Sequence, residues 1–188
     1  MSSPKPLPKT NDDLMQNVEF KAELRDLIAA RATCEALRAS FICTLHQTDT
    51  YYRIAGGKLK KRETEGEETE FIQYERPALA SPKVSDFTIM SEAQAAARFG
   101  LDSLPVWTVV RKRRELYLHG HTRIHLDQVQ GLGTFLEFES LVSAANPVES
   151  ARGAVAALRE AFAPILGEAI DCGYADLLTL DAQDGRAR

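Results

Sequence analysis

Residues 17–24, N-V-E-F-K-A-E-L, alternate polar and apolar side chains without a break, the period of two expected of a half-buried β-strand. Val18, Phe20, Ala22 and Leu24 share one face; Asn17, Glu19, Lys21 and Glu23 share the other. The period then changes: Leu24, Leu27, Ile28 and Leu37 recur at helical spacing, which predicts an amphipathic helix over 24–39. Residues 41–54, rich in β-branched and aromatic side chains, predict a strand that ends in a turn at Gly56-Gly57. Further strands are expected at 58–64, at 69–77 (closed by Pro77) and at 85–90, and a short helix over 91–99 stops at Gly100. A long strand over 106–118 turns at His119-Gly120-His121 into another at 122–129, and 134–141 is the last. From Pro147 to Ile170 the pattern predicts a helix kinked at Pro164. About eight strands joined mostly by hairpins, with helices at the start, middle and end, predict an α+β fold: an eight-stranded antiparallel β-barrel with flanking helices.

The polar faces change the picture. Lys58, Lys60 and Arg62 share one; Ile72, Tyr74 and Arg76 share the next; Lys112 and Arg114 continue the face of Thr108 and Val110. Arg123, His125 and Asp127 alternate with Thr122, Ile124 and Leu126, and Phe135, Glu137 and Glu139 with Thr134, Leu136 and Phe138. The amphipathic helices must cover the apolar faces, so those faces point outward and the charged ones line the inside of the barrel. An unpaired buried charge costs several kcal/mol even after relaxation, so such an interior must be hydrated and offset by a polyanion. Arginine and lysine suit phosphate oxygens. The pair Glu137-x-Glu139, with Glu19 nearby, suits a hard cation, Mg²⁺ or Mn²⁺. Cations for phosphate together with carboxylates for a metal point to phosphoryl or nucleotidyl transfer.

Bulk properties narrow the class. The 188 residues suffice for one domain with a sizeable core, expected over 16–180 between tails at 1–15 and 181–188. The net charge of −4 argues against a generic nucleic-acid binder, and no apolar run reaches membrane-spanning length. The first 15 residues contain no apolar stretch of the secretory kind. Cys34, Cys43 and Cys172 lack C-x-x-C spacing and read as reduced structural thiols. A cytoplasmic location is expected, with no nucleic acid and no membrane as partner. His46, His119, His121 and His125 share no metal-binding spacing and read as structural, although His125 lies on the charged face.

Several motifs in order carry a resemblance: N-V-E-F-K (17–21), L-K-K-R-E (59–63), Y-E-R-P (74–77), V-R-K-R-R-E-L-Y (110–117), T-R-I-H-L-D (122–127), G-L-G-T-F-L-E-F-E (131–139) and the late Y-A-D-L-L. Over roughly 16–178 the chain resembles the CYTH family of triphosphate tunnel metalloenzymes, which includes class IV adenylyl cyclases and thiamine triphosphatases. The resemblance implies an eight-stranded tunnel holding a triphosphate (ATP, tripolyphosphate or thiamine triphosphate) beside Mg²⁺ or Mn²⁺. It implies phosphate ligation by Lys21, Lys60, Arg62, Arg76, Lys112, Arg114 and Arg123, and metal ligation by Glu19, Asp127, Glu137 and Glu139. Tyr51, Arg76 and Lys112 are the expected catalytic residues, and a homodimer is the expected assembly.

Three departures bear on function. Asn17 stands where the E-x-E-x-K signature begins with an acid. Arg76 stands where thiamine triphosphatases carry a lysine that helps a tyrosine activate water, and a guanidinium does not deprotonate. The His-Phe pair that precedes the signature in some class IV cyclases is replaced here by D-D-L-M-Q. Three outcomes stay open: cyclisation of ATP to cyclic AMP and pyrophosphate, hydrolysis of a triphosphate, and binding without turnover.

Overall fold

The computed structural model describes residues 15–54, 57–75 and 83–183. Gly56, Arg76, Pro77 and the tail segments 1–14 and 184–188 lie outside the described residues. The chain runs β1 (Met15–Leu24), α1 (Leu27–Ala36), β2 (Ser40–Ile54), β3 (Gly57–Thr64), β4 (Glu70–Glu75), β5 (Lys83–Met90), α2 (Glu92–Phe99), β6 (Val106–His119), β7 (Thr122–Val129), β8 (Gly133–Leu141), α3 (Val148–Phe162), β9 (Leu166–Ala169) and α4 (Tyr174–Gln183). Eight strands lie in the order β5-β4-β3-β2-β6-β7-β8-β1, and β1 pairs back onto β5, which closes an antiparallel barrel. Closure removes the free strand edges that an open sheet would expose.

Two expectations are corrected. The first helix spans 27–36 rather than 24–39. Leu24 stays in β1, paired with Leu166, and the Asp26 carboxylate accepts from the Ile28 and Ala29 N–H groups, which starts the helix only there. Arg38, with φ of 55°, turns the chain out of the helix at its other end. The helix expected to run through Pro164 to Ile170 ends at Phe162. A single 3₁₀ turn follows, and residues 166–169 form β9. Pro164 supplies no N–H to continue the helix, and β1 offers a partner. Its edge pairs with β5 only as far as Glu19, so β9 takes the stretch from Ala22 to Leu24. Gly167 permits that approach, because a Cβ there would lie 2.8 Å from Glu23 Cβ. Helix α4 was not anticipated, and it runs on to Gln183, inside the segment read as a tail.

The main core lies outside the barrel, as the alternation requires. Val18, Phe20, Ala22, Ile124, Leu126, Leu136 and Phe138 face outward and pack under α1 and α3 through Ala30, Cys34, Val155, Leu158 and Phe162. Phe138 sits between Phe20 and Phe162, with ring centroids 6.0 and 5.5 Å away. Each such fully buried side chain contributes about 1.5–3 kcal/mol. On the opposite wall, Leu59, Phe71 and Met90 pack under α2 at Ala95. Cys34 is buried and Cys43 and Cys172 are half-buried, and no disulfide joins them. Among the described residues no helix is long and apolar enough to cross a membrane.

Glu115, buried on the outer face of β6, tethers α1. It accepts from Arg31 Nε and Nη2 at 2.9 and 2.6 Å and from Arg113 Nη1 at 2.6 Å. The Arg31 hydrogen bonds, against opposition from burial and with help from Arg113, bring its carboxyl down to about 2. A depressed carboxylate contributes stability above its unfolded-state value and loses it as pH falls through the folded one. Glu115→Gln is therefore expected to cost on the order of 1 kcal/mol at pH 7, since the arginines are half-exposed and screened. In urea melts the gap from wild type should narrow between about pH 4.5 and 2; a pH-independent gap would remove the ion pair as its cause.

Candidate active site

The barrel interior has two chemically distinct walls. On β2, β3 and β6, register places Asp49 opposite Arg62 and Tyr51 opposite Lys60. Asp49 is 0% exposed. It accepts two bonds from Arg62 (Nε 2.8 Å, Nη2 2.9 Å), one from Lys112 Nζ at 3.0 Å, and lies 3.7 Å from Lys60 Nζ. Burial opposes its charge, but Arg62, Lys112 and Lys60 override burial and hold its carboxyl well below the usual range. Burial likewise brings Lys112 down to about 8, with Asp49 resisting and Arg114 and Arg62 assisting. Three of the expected phosphate ligands, Lys60, Arg62 and Lys112, thus converge at one place. Asp49 was missed by sequence reasoning, although its period-two relation to Tyr51 was the available signal.

The other wall, on β1, β7 and β8, collects the carboxylates. Register puts Glu19 opposite Glu139, Lys21 and His125 opposite Glu137, and Arg123 opposite Glu139. Like charges facing each other across a sheet are destabilising, and Arg123, opposite Glu139 on its other side, sets a cation beside the pair. Lys21 Nζ lies 2.8 Å from Glu137 Oε1, and Arg114 Nη2 donates to Glu137 Oε2 at 2.8 Å. Glu137 is held well below the usual range: burial works against its charge, and Lys21 and Arg114 overcome it. Glu139 is also lowered, by Arg114 and Arg123 against burial and Glu137.

His125, Glu137 and Glu139 bring ligand atoms within 4.8 Å of one another. His125 Nδ1 is 3.5 and 3.9 Å from the two carboxylates, too far for a good hydrogen bond, and it is buried without a partner. Asn17 Oδ1, on the face of Glu19, is likewise buried and unpartnered. Two carboxylates and an imidazole nitrogen that lacks a hydrogen bond fit a divalent cation. Burial, assisted by Arg114, lowers His125 and favours the neutral ring that such a ligand requires. Asp127, expected at the metal, accepts from Arg114 with both its oxygens (2.7 and 2.6 Å) and from Tyr174 Oη with one at 2.8 Å.

Helix α4 enters one end of the barrel. Tyr174 and Ala175 pack on the inward-facing Tyr51, Ile72, Tyr74, Val110 and Phe135. Lys21 and Lys112 approach the Tyr174 ring to 4.4 and 5.5 Å, and Lys58 pairs with Asp176 at 2.6 Å. Tyr51 is buried, with the Lys60 ammonium 5.8 Å from its ring centre. Of the expected site residues, the structure gathers Glu19, Lys21, Tyr51, Lys60, Arg62, Lys112, Arg114, Arg123, Asp127, Glu137 and Glu139 inside one barrel; Arg76 lies outside the described residues.

A closed antiparallel barrel with cations on one inner wall and carboxylates on the other defines the class of triphosphate-tunnel enzymes. The model of the CYTH domain matches residues 15–162, and the chain belongs to that metal-dependent family. No curated protein sequence matches it. Solved structures with the same fold include the PH1012 protein of Pyrococcus horikoshii (20% identity, 86% of this chain and 98% of that one, TM-score 0.69). A candidate adenylate cyclase from Vibrio parahaemolyticus matches at 19% identity, over 87% of this chain and 97% of its own, with a TM-score of 0.67. A candidate adenylyl cyclase from Hippeastrum with a dominant triphosphatase activity matches at 14%, over 90% and 96%, with a TM-score of 0.59. Helix α4 lies beyond the family match.

Proposed function

We propose that this chain binds a triphosphate along its barrel and turns it over with a divalent cation, in the manner of a class IV adenylyl cyclase acting on ATP. The observation that carries the reading is the division of the interior into a wall of Lys60, Arg62 and Lys112 around Asp49 and a facing set of His125, Glu137 and Glu139. In this reading the β3 and β6 cations bind phosphate oxygens through charge-assisted hydrogen bonds. Glu19, Asn17, His125, Glu137 and Glu139 hold the metal, which when bound draws off charge developing on the phosphates. Arg114 keeps Asp127 and Glu137 ionised and apart. Lys112, near 8, holds a proton at Nζ that it can give to a departing phosphate oxygen.

Cyclisation is preferred because Arg76 replaces the lysine of water-activating relatives, and its guanidinium cannot act as a base. Hydrolysis is the second reading, favoured by the burial of Tyr51 beside Lys60, a pairing suited to orienting water. Turnover of ATP, GTP, tripolyphosphate and thiamine triphosphate with Mg²⁺ or Mn²⁺, with products separated by chromatography, tests both. Cyclic AMP with pyrophosphate establishes the cyclase and orthophosphate the hydrolase. Binding without turnover makes the barrel a receptor, and failure to bind any of the four overturns the reading.

A further inference from the structure

The cationic wall is organised by a residue that carries a negative charge. Asp49 is fully buried on β2, yet the groups around it are Arg62 and Lys60 from β3 and Lys112 from β6. Three cations this close and this dry would repel one another and splay without an anion between them. Arg62 spends its Nε and one Nη2 proton on Asp49, and Lys112 spends one of three N–H groups. The remaining donors stay available, held in fixed directions. Around Asp49 the cations outnumber the carboxylate, which suits a polyphosphate and not a neutral ligand.

Resting on the triphosphate reading above, we infer that Asp49 is the positioning residue for the phosphate chain. It does not bind the substrate; it gathers Lys60, Arg62 and Lys112 into one preformed seat. The benefit is preorganisation: long, rotamer-rich side chains that are already ordered lose less entropy on binding. The opposite role is physically distinct. A carboxylate occupying the phosphate position would compete with substrate, and its removal would strengthen binding.

The test is calorimetric titration of the full chain with tripolyphosphate across pH 6–9. Lys112 is faced by Asp49 from β2, Arg62 from β3, Asp127 from β7, the Tyr174 ring from α4 and Arg114 on its own strand. Of these, Asp49 is the foremost support of its charge, so wild-type affinity should fall above about pH 8. Asp49→Asn keeps the shape and removes the charge. It should weaken binding at pH 7 about tenfold or more, and the alkaline fall should begin at lower pH. A purely structural role would lower the melting temperature and leave both the affinity of the folded protein and its pH limb in place. Unchanged or tighter binding by Asp49→Asn overturns the inference. If that variant does not fold, Asp49→Glu decides: the charge stays while the longer arm displaces Lys60, Arg62 and Lys112, so binding should weaken, and unchanged binding overturns the inference. A wild-type chain that binds no tripolyphosphate at any pH overturns the proposed function, and this inference with it.

Discussion

Glu139→Ala is expected to lower triphosphate turnover by about 10² or more, the size of losing one electrostatic contact made in the transition state, while the protein stays folded. The reason for choosing Glu139 over Glu137 is its surroundings. Its side chain is 24% exposed and stands opposite Glu19 in register, so its loss opens less buried space than the loss of Glu137. Glu137 is buried and already neutralises Lys21 and Arg114, so its loss would confuse catalysis with stability. Steady-state rates with ATP and tripolyphosphate measure the first effect. Thermal unfolding with and without Mn²⁺ supplies an independent readout, because a cation that binds only the folded state raises its stability. Wild type should be stabilised by Mn²⁺, and Glu139→Ala much less so. Activity lost only in proportion to unfolding would remove Glu139 from the metal site.

Arg114→Ala should produce the largest loss of stability in the barrel, about 3–5 kcal/mol, the cost of removing one partner from a buried ion pair. That is a large share of the 5–15 kcal/mol typical of a domain. Arg114 is the only described cation that donates to both Asp127 and Glu137, and neither carboxylate has solvent to fall back on. The sign of the pH dependence follows. Burial would raise Asp127, but Arg114 brings it down to about 2, so in wild type this pairing stabilises the fold above the unfolded value near 3.9 and is lost as pH falls through about 2. Without Arg114 the carboxyls return to the control of burial, protonate more readily, and the penalty shrinks on acidification. Urea denaturation at pH 7 and pH 4 checks this; an equal penalty at both would show that Arg114 acts by packing and not by charge.

The alternation along β1, β6, β7 and β8 made most of the barrel legible. A period of two assigns every side chain to one of two faces, and helices that need an apolar surface decide which face points outward. That reasoning placed Phe20 and Phe138 under helices and Lys21, Lys112 and Glu137 inside, as the structure has them. It failed where local pattern and tertiary demand diverge. L-G-E-A at 166–169 has little strand character, and it pairs because β1 leaves an edge open beyond Glu19. Tyr174 starts a short helix with no decisive periodicity, and what marks it is its hydrogen bond to Asp127, 47 residues away.

Sequence alone therefore determined the strand pattern, the charged interior and the family to which the chain belongs, because these depend on local period and on motifs in order. Only the tertiary structure decided which charge meets which. Asp49 is 13 residues from Arg62 and 63 from Lys112, and Arg114 is 23 from Glu137. Those meetings depend on cross-strand register, and register is set when the barrel closes: shifting one strand by a residue would turn every one of its inward side chains outward.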